Sequence, residues 1–437
     1  MNGARLERLI ELKVGILTYH YVYNEGALWQ AYVLCKTLRE QLKEAIVEII
    51  DYRYEPKTSV INSRISAERR DKYESFIKDY LSEETIISDN CLRLNQLINE
   101  EYQAVIVGSD IIWQFEIRSS CWNEYCYAIY NSPFRPDWST PYRTLRSAKN
   151  WVVNLLKKVE ADRMIKLPVP NAYWLSQGCD CLRISYAASI GYSNSNIPEK
   201  QKKWMSETLS RFDLISVRDE NTKTFLCNVD NSIGKRALKV PDPAWLFGDD
   251  LPDGEEILQL EGLNLKGPIA GVLYPLGNRY GQMLDKFLPD ALRMLGFQVV
   301  SVIDSNPNVD CNLASNTRSI FEWWAIVRRL DFFVTVRTHP NIAALMYQTP
   351  FINLDITAAL KQSESSKSSD MLAEFGLSHL CLFKDRDLNE QSIVGLINST
   401  IRHEWDWKNV EREIWRKRHV AADYIASIRK LVYADHI

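Results

Sequence analysis

The residues best suited to chemistry stand where an apolar run ends, at Arg337, Thr338 and His339. The β-prone run 331–336 precedes them, and NIAALMY after Pro340 has the pattern of a helix, with Pro340 suited to its first turn. These residues predict an anion site, because N–H groups at a helix start point outward and arginine adds a fixed fork of donors. His339 is the best candidate general acid or base. The alternative is a surface turn with a solvated arginine and histidine.

Two more strand ends carry candidate ligands. Arg218 follows the predicted strand in DLISV and is a second candidate anion clamp, whereas Asp219 beside it can act simply as a helix cap. Ser109 and Asp110 follow the apolar run 104–107 and Gly108, and offer a hydroxyl and a carboxylate to a ligand. A turn or a helix cap is the alternative explanation for this pair.

Small and polar residues follow two other predicted strands. Asn24 and Gly26 lie between the strand KVGILTY and a helix, at the position where doubly wound folds usually bind ligands. The strand in LRISYAASIG ends in small residues up to Ser189, which suits close approach of a ligand. The chain contains neither GxGxxG nor GxxxxGK[ST], so a dinucleotide or P-loop site has little support.

Strands that alternate with helices position these residues, and the alternation predicts an α/β fold with parallel sheets. The expected domains are 1–247, with an irregular insertion at about 115–170, and 255–401. The turn-rich stretch 248–254 is the expected linker, and 402–437 is expected to be a helix that can brace the first domain. Two such halves are expected to face a cleft, where small-molecule sites concentrate.

Composition excludes several classes of protein. The net charge of −3 gives no overall basic field for nucleic acid. The nine cysteines are scattered without metal-site spacing, which favours free thiols in a reducing cytoplasm and no metal site. The N-terminal segment carries charges where a secretion signal would be apolar, and no apolar run reaches membrane-spanning length.

A basic amphipathic segment within the insertion suggests contact with a membrane surface. In the predicted helix 143–166, apolar residues share one face and lysines and arginines occupy much of the rest. Such a helix can lie on the inner face of a membrane as a peripheral contact. The alternative is a helix packed on its own domain with a solvated basic face.

Six blocks of the sequence, in order, resemble the polysaccharide pyruvyl transferase family. They are spread from Lys13 to about Leu380 and read KVGILTYHYVYNEGALWQAYVL, VIVGSDIIW, ISYAASIG, LISVRDENTKTFL, VPDPAWLF and VTVRTHPNIAALMYQTPFINLD. The resemblance implies two Rossmann-like domains in the GT-B-like glycosyltransferase architecture. It also implies transfer of pyruvate from phosphoenolpyruvate onto two hydroxyls of a saccharide, which can be lipid-linked. The product is a ketal in an exopolysaccharide, cell-wall polymer or other glycan, and no cofactor is implied.

The resemblance also assigns roles to residues. Arg218, Arg337, Thr338 and His339 match the positions that hold the donor, with His339 and Arg337 catalytic. Lys367 is a further donor contact, where many relatives carry arginine, so the charge is kept and the fork is lost. Pro340 stands where many relatives carry glycine, which removes a backbone donor. The acceptor saccharide is expected to contact the residues Asn24, Gly26, Ser109, Asp110 and Ser189.

Two other functions fit the same architecture. A glycosyltransferase would use a nucleotide sugar, with Arg337 and Lys367 on the diphosphate. A non-catalytic module would bind a glycan without turnover. The acceptor sugar, the linkage and stereochemistry of the ketal, and the oligomeric state have no signature in the sequence.

Overall fold

A computed structural model of the chain describes residues 12–53, 67–81, 87–88, 91–115, 172–175, 179–191, 197–248, 250–313, 319–360 and 366–434. Almost all of the predicted insertion, with the predicted helix 143–166, lies outside these residues. The chain divides into two compact units. The first comprises Met1–Ser66, Ile77–Pro243 and Val420–Ile437, and the second comprises Ala67–Phe76 and Ala244–His419. The predicted domain limits at 247 and 255 stay predictions.

The first unit is built on a six-stranded sheet in the order β2-β1-β5-β6-β7-β8, in which every pair is parallel. Strands β3 and β4 form a separate parallel pair. The strands of this unit are β1 (Lys13–Leu17), β2 (Ile46–Ile49), β3 (Tyr52–Arg53), β4 (Ile87–Ser88), β5 (Ala104–Asp110), β6 (Leu182–Ala188), β7 (Ser216–Val217) and β8 (Leu238–Lys239).

The second unit repeats this design with the order β11-β10-β9-β12-β13-β14, again parallel throughout. Its strands are β9 (Ile269–Leu273), β10 (Gln298–Ser301), β11 (Cys311–Asn312), β12 (Phe332–Thr335), β13 (Phe351–Leu354) and β14 (Cys381–Leu382). All residues of β9, β12 and β13 are buried. Central strands of a parallel sheet are covered on both faces, which explains their nearly continuous apolar sequences.

Helices follow most strands. They are α1 (Glu25–Gln41), α2 (Ala67–Phe76), α3 (Cys91–Glu101), α4 (Glu199–Leu209), α5 (Glu220–Val229), α6 (Asn231–Arg236), α7 (Gly254–Leu260), α8 (Arg279–Met294), α9 (Ile320–Arg329), α10 (Thr338–Met346), α11 (Ile356–Leu360), α12 (Lys367–Ala373), α13 (Glu390–Ile401) and α14 (Trp407–Val432). None of the described helices is long and apolar enough to cross a membrane.

Polar side chains fix where these helices begin. Asn24 caps α1 and Asn278 caps α8, each by accepting backbone N–H groups of the first turn. Ser319 forms a reciprocal capping box with Glu322 at the start of α9. Helix α10 has no such side-chain cap, and its cap residue is Arg337. The start of each of these helices is thus set by a residue in the segment that joins it to the preceding strand.

The predicted α/β class with two Rossmann-like, GT-B-like domains is confirmed. Pro340 is the third residue of α10, where the missing N–H costs no helical hydrogen bond. The sequence analysis missed the short edge strands β11 and β14. Each has two residues, which are too few to show the alternating pattern of a strand. The part of α14 beyond Val420 belongs to the first unit, where the Tyr424 hydroxyl donates to the carbonyl of Ser185 at 2.7 Å.

Packing of α8 on the second sheet can be tested with a matched pair of substitutions. Leu284 is 1% exposed and Met294, on the same helix, is 88% exposed. Leu284→Ala should lower the free energy of unfolding by about 2–5 kcal/mol, because it leaves a cavity. Met294→Ala should change it by no more than about 0.5 kcal/mol. Urea unfolding followed by circular dichroism measures both, and equal effects would contradict this packing.

Candidate active site

The carboxyl ends of the parallel strands gather the candidate residues of each unit at one edge of its sheet. In the second sheet the strand order reverses between β9 and β12, and Arg337 comes two residues after β12 ends. In the first sheet the strand order reverses between β1 and β5. Asn24 lies in the segment after β1, and Asp110 is the last residue of β5. Such switch points are where open α/β sheets bind ligands.

The guanidinium of Arg337 is held by a carboxylate from another strand end. Its Nη2 donates to Oδ1 and Oδ2 of Asp304 at 2.9 and 3.0 Å. Asp304 follows β10, and β9 lies between β10 and β12 in the sheet. The side chain of Arg337 is 30% exposed and that of Asp304 is 15% exposed, so water and solutes reach the arginine more easily than its partner. The pair fixes the direction of the guanidinium at the sheet edge.

The first turn of α10 meets the start of α12. The hydroxyls of Thr338 and Ser368 lie 3.2 Å apart. Ser366 caps α12 by accepting the N–H of Ser369 at 3.1 Å and donates its hydroxyl to Asp355 at 2.6 Å. Lys367, the first residue of α12, lies between Ser366 and Ser368 in the sequence. The structure therefore brings the Lys367 segment to the Arg337–His339 turn, from 30 residues away in sequence.

A buried polar network supports that turn from below. The side-chain amide of Asn353 donates to the carbonyl of Thr335 at 3.2 Å and to Asn341 Oδ1 at 3.3 Å. The Cys381 thiol donates to Asn353 Oδ1 at 3.3 Å. Burial raises the pKa of Cys381 to about 12, so the thiol keeps the proton that it donates. Strands β12, β13 and β14 and helix α10 are thereby tied together beneath the candidate site.

In the first unit, Arg218 lies among carboxylates. Its Nη1 donates to Oδ2 of Asp242 at 2.6 Å. Burial lowers the pKa of Arg218, but the charges of Asp242, Asp110 and Asp219 raise it above its ordinary value. Three carboxylates thus act on this one guanidinium. This edge is therefore less favourable for an anion than the Arg337 edge, and its oxygen atoms are well suited to accept hydrogen bonds from hydroxyls.

Several expected contact residues already have partners within the first unit. The buried Ser189 hydroxyl donates to Asp219 at 2.6 Å, while Asp219 caps α5 through the N–H of Thr222 at 2.8 Å, as its alternative role predicted. The buried Ser109 hydroxyl donates to Gln30 at 2.5 Å. Asp110 has φ +85° at the end of β5, a conformation that non-glycine residues rarely adopt outside constrained sites.

The expected roles of Asn24, Gly26, Ser109, Asp110 and Ser189 at the acceptor stay predictions, as do those of the donor residues. Asn24 Oδ1 accepts the N–H of Ala27 at 3.1 Å, and Gly26 is buried in the first turn of α1. These contacts define the shape of the loops at the sheet edge. Within the described ranges, no group of three or more His, Cys, Asp or Glu side chains could hold a metal ion.

A buried His–Asp–Arg cluster at the ends of β1 and β2 was missed by the sequence analysis. His20 Nε2 lies 2.8 Å from Asp51 Oδ1, and Arg53 Nε donates to the same oxygen at 2.7 Å. His20 Nδ1 lies 3.2 Å from the carbonyl of Thr18, so both ring nitrogens face acceptors. His20 follows β1 and Asp51 follows β2, and the parallel pairing of these two strands brings the residues together.

Comparisons with known proteins agree with this architecture. Residues 24–357 match the family model described as polysaccharide pyruvyl transferase. A UDP-N-acetylglucosamine 2-epimerase from Methanocaldococcus jannaschii has a similar fold, with a TM-score of 0.51 and 9% identity over 97% of this chain and 99% of that chain. A Listeria monocytogenes protein assigned to the same enzyme class gives a TM-score of 0.53 and 10% identity over 96% of each chain. No curated protein matches the chain.

The cluster around Asp51 makes stability depend on pH. Burial raises the pKa of Asp51, but hydrogen bonds and charges from His20 and Arg53 outweigh this and hold it well below its ordinary value of 3.8. Because the carboxylate is favoured in the folded state, its stabilisation is present above pH 3.8 and is lost as the pH falls further.

Asp51→Asn should therefore lower the free energy of unfolding by about 3 kcal/mol near neutral pH. The difference from wild type should shrink when the pH is lowered to about 3. Urea unfolding at both pH values measures it, with the exposed Asp71→Asn as control. A difference that stays constant with pH would contradict the role of the Asp51 carboxylate.

Proposed function

We propose that this chain, which belongs to the polysaccharide pyruvyl transferase family, transfers pyruvate from phosphoenolpyruvate onto two hydroxyls of a saccharide. Family membership supports an enzyme that pyruvylates saccharides. The single observation that carries the donor assignment is the turn Arg337–His339, which joins a buried parallel strand to α10 beside the Lys367 segment. Phosphoenolpyruvate carries a phosphate and a carboxylate, and this edge offers arginine, lysine and helix N–H groups to bind them.

Arg337 is proposed to bind one anionic group of the donor with its guanidinium, since its side chain is 30% exposed. The guanidinium carries five N–H donors, and Asp304 accepts from Nη2. Thr338 would add its hydroxyl or backbone N–H, and Lys367 a second positive charge. Pro340 lacks an N–H, so N–H donation from this turn is limited to the residues around it. Arg218 stays a predicted donor contact on the basis of the family motif.

The proposed reaction balances without a cofactor. A proton adds to the methylene carbon of phosphoenolpyruvate, and the carbon that bears the phosphate becomes oxocarbenium-like. One saccharide hydroxyl attacks this carbon and loses its proton. A second hydroxyl of the same saccharide then displaces phosphate and loses its proton, so a methyl-bearing ketal and inorganic phosphate are formed. The cation at this edge would stabilise the departing phosphate.

His339 is proposed as the group that delivers or removes these protons. It lies in the first turn of α10, one residue from Thr338 and two from Arg337. An imidazole can act as either acid or base near neutral pH. The carboxylates near Arg218 are proposed to accept hydrogen bonds from the saccharide.

The cytoplasm is the proposed compartment, and contact with a membrane would allow a lipid-linked acceptor. Free cysteines in the described ranges fit a reducing environment, and they are Cys35, Cys179, Cys181, Cys227, Cys311 and Cys381. The proposed chemistry requires neither a metal nor a prosthetic group.

Incubation with phosphoenolpyruvate and a panel of saccharides tests the function. Release of phosphate should accompany a saccharide product whose mass and NMR spectrum show the ketal. A nucleotide-sugar glycosyltransferase would instead be stabilised in thermal-shift assays by nucleotides and not by phosphoenolpyruvate. A glycan-binding module would bind a saccharide without forming product. The absence of both turnover and donor binding would exclude the proposed donor.

Removal of the positive charge and removal of the negative charge of the Arg337–Asp304 pair should affect donor binding differently. Arg337→Ala should weaken binding of phosphoenolpyruvate by about 1.5–3 kcal/mol, because a charge-assisted hydrogen bond is lost. Asp304→Asn should maintain or strengthen binding, because a competing negative charge is removed. Calorimetric titration measures both variants, with the exposed Lys266→Ala as control. Weaker binding in Asp304→Asn would show that the pair acts by structural support alone.

Substitution of His339 should affect the chemical step more than binding. His339→Ala is expected to lower kcat by about 100-fold or more, because acid–base catalysis is removed. The dissociation constant for phosphoenolpyruvate should change much less. Steady-state kinetics and calorimetry on the same preparation separate the two effects. A variant with normal kcat would remove His339 from the proton-transfer role.

A further inference from the structure

A stripe of basic residues with one tryptophan runs along the outer face of α14. Lys408, Arg412, Trp415, Arg416 and His419 are all exposed. Their spacing of four, seven, eight and eleven residues from Lys408 places them on one side of a helix. With a rise of about 1.5 Å per residue, the stripe is about 16 Å long. This group is called the basic stripe below.

The other side of the same helix is occupied by the protein. Val410 and Ile414 are buried. Lys417 forms an ion pair with Glu374 and lies over the ring of Trp245 at 5.5 Å. Arg418 donates to the carbonyls of Trp245 and Phe247 at 2.9 and 2.8 Å. These two cations have structural roles, whereas the residues of the basic stripe point away from the packed face.

Nearby carboxylates neutralise little of the basic stripe. Glu413 lies 3.4 Å from Arg416 and is the acidic partner on this face. Glu411 accepts a hydrogen bond from Gln348 at 2.7 Å, and Asp406 accepts the N–H of Asn409 at 3.0 Å. Asp423 follows one turn beyond His419. Among the described residues, neither Lys408 nor Arg412 has an ion-pair partner, so the stripe keeps a positive charge although the whole chain carries −3.

Trp415 is the unusual member of the basic stripe. Its side chain is 61% exposed, and its ring centroid lies 3.5 Å from that of His419. The exposed indole adds an apolar surface in the middle of the cations. Tryptophan favours the boundary between water and lipid, where lysine and arginine meet anionic headgroups.

We propose that the basic stripe docks the protein on an anionic lipid surface. The basic stripe lies on the exposed side of a helix, which suits contact with a broad surface. A polymer chain would bind better in a groove. Cations along one line meet headgroups while Trp415 enters the interfacial layer. Docking of this kind does not depend on the pyruvyl chemistry, and it brings the enzyme to the surface where lipid-linked saccharides are found.

Co-sedimentation of the full chain with vesicles tests the proposal. One set is phosphatidylcholine alone, and in the other about a third of the lipid is phosphatidylglycerol. Wild type should be retained by the anionic vesicles at roughly 0.05 M NaCl and released at roughly 0.5 M. The double substitution Arg412→Glu and Arg416→Glu should reduce partitioning of the protein onto anionic vesicles at least about 25-fold. This lower limit counts about fivefold for each arginine charge that is lost. Trp415→Ala should also lower retention at the lower salt concentration, because the apolar contribution of the indole is lost.

The matched control reverses two exposed lysines on α4, as Lys200→Glu and Lys203→Glu. It should bind like wild type, and circular dichroism should show that all variants are folded. Equal retention of the Arg412/Arg416 variant and the control would overturn the proposal. So would retention that is independent of anionic lipid, or binding of wild type to soluble dextran sulfate with no retention by vesicles.

Discussion

The parallel direction of all strands in each six-stranded sheet is the constraint on which the rest of the structure depends. Both faces of central strands are buried, so polar side chains can reach solvent only where strands end. Residues from distant parts of the chain therefore meet at the carboxyl edges. Arg337 lies against Asp304, Arg218 against Asp242, and His20 against Asp51 in this way.

Two of these contacts pair an arginine with a carboxylate, and the third pairs the His20 ring with Asp51. Pairing of this kind offsets the cost of a charge removed from water. The balance differs between the two units. The charges of three carboxylates act on Arg218, whereas Arg337 has the Lys367 segment and a helix N-terminus nearby in addition to Asp304. An anionic donor is therefore more favourable at the second unit. The carboxylates of the first unit are better suited to hydroxyl groups than to phosphate.

Sequence reasoning was most successful where the pattern was local. The strand before Arg337, the helix after it, the first-turn position of Pro340 and the capping role of Asp219 all follow from residues a few positions apart. The edge strand β14 is too short to show a period.

The partners Asp304 and Asp242 lie 33 and 24 residues from their arginines, and no local sequence pattern predicts such pairs. The same holds for His20 and Asp51, which are 31 residues apart. Ser109 donates to Gln30 on α1, and Ser189 donates to Asp219, which follows β7. The sequence does not reveal which elements are neighbours in the fold.

A crystal structure of the protein bound to phosphoenolpyruvate tests the proposed donor site most directly. The phosphate or the carboxylate should lie within hydrogen-bonding distance of the Arg337 guanidinium and the first turn of α10, with His339 close to the methylene carbon. A ligand bound elsewhere, without a contact to Arg337, would contradict the assignment of this turn to the donor.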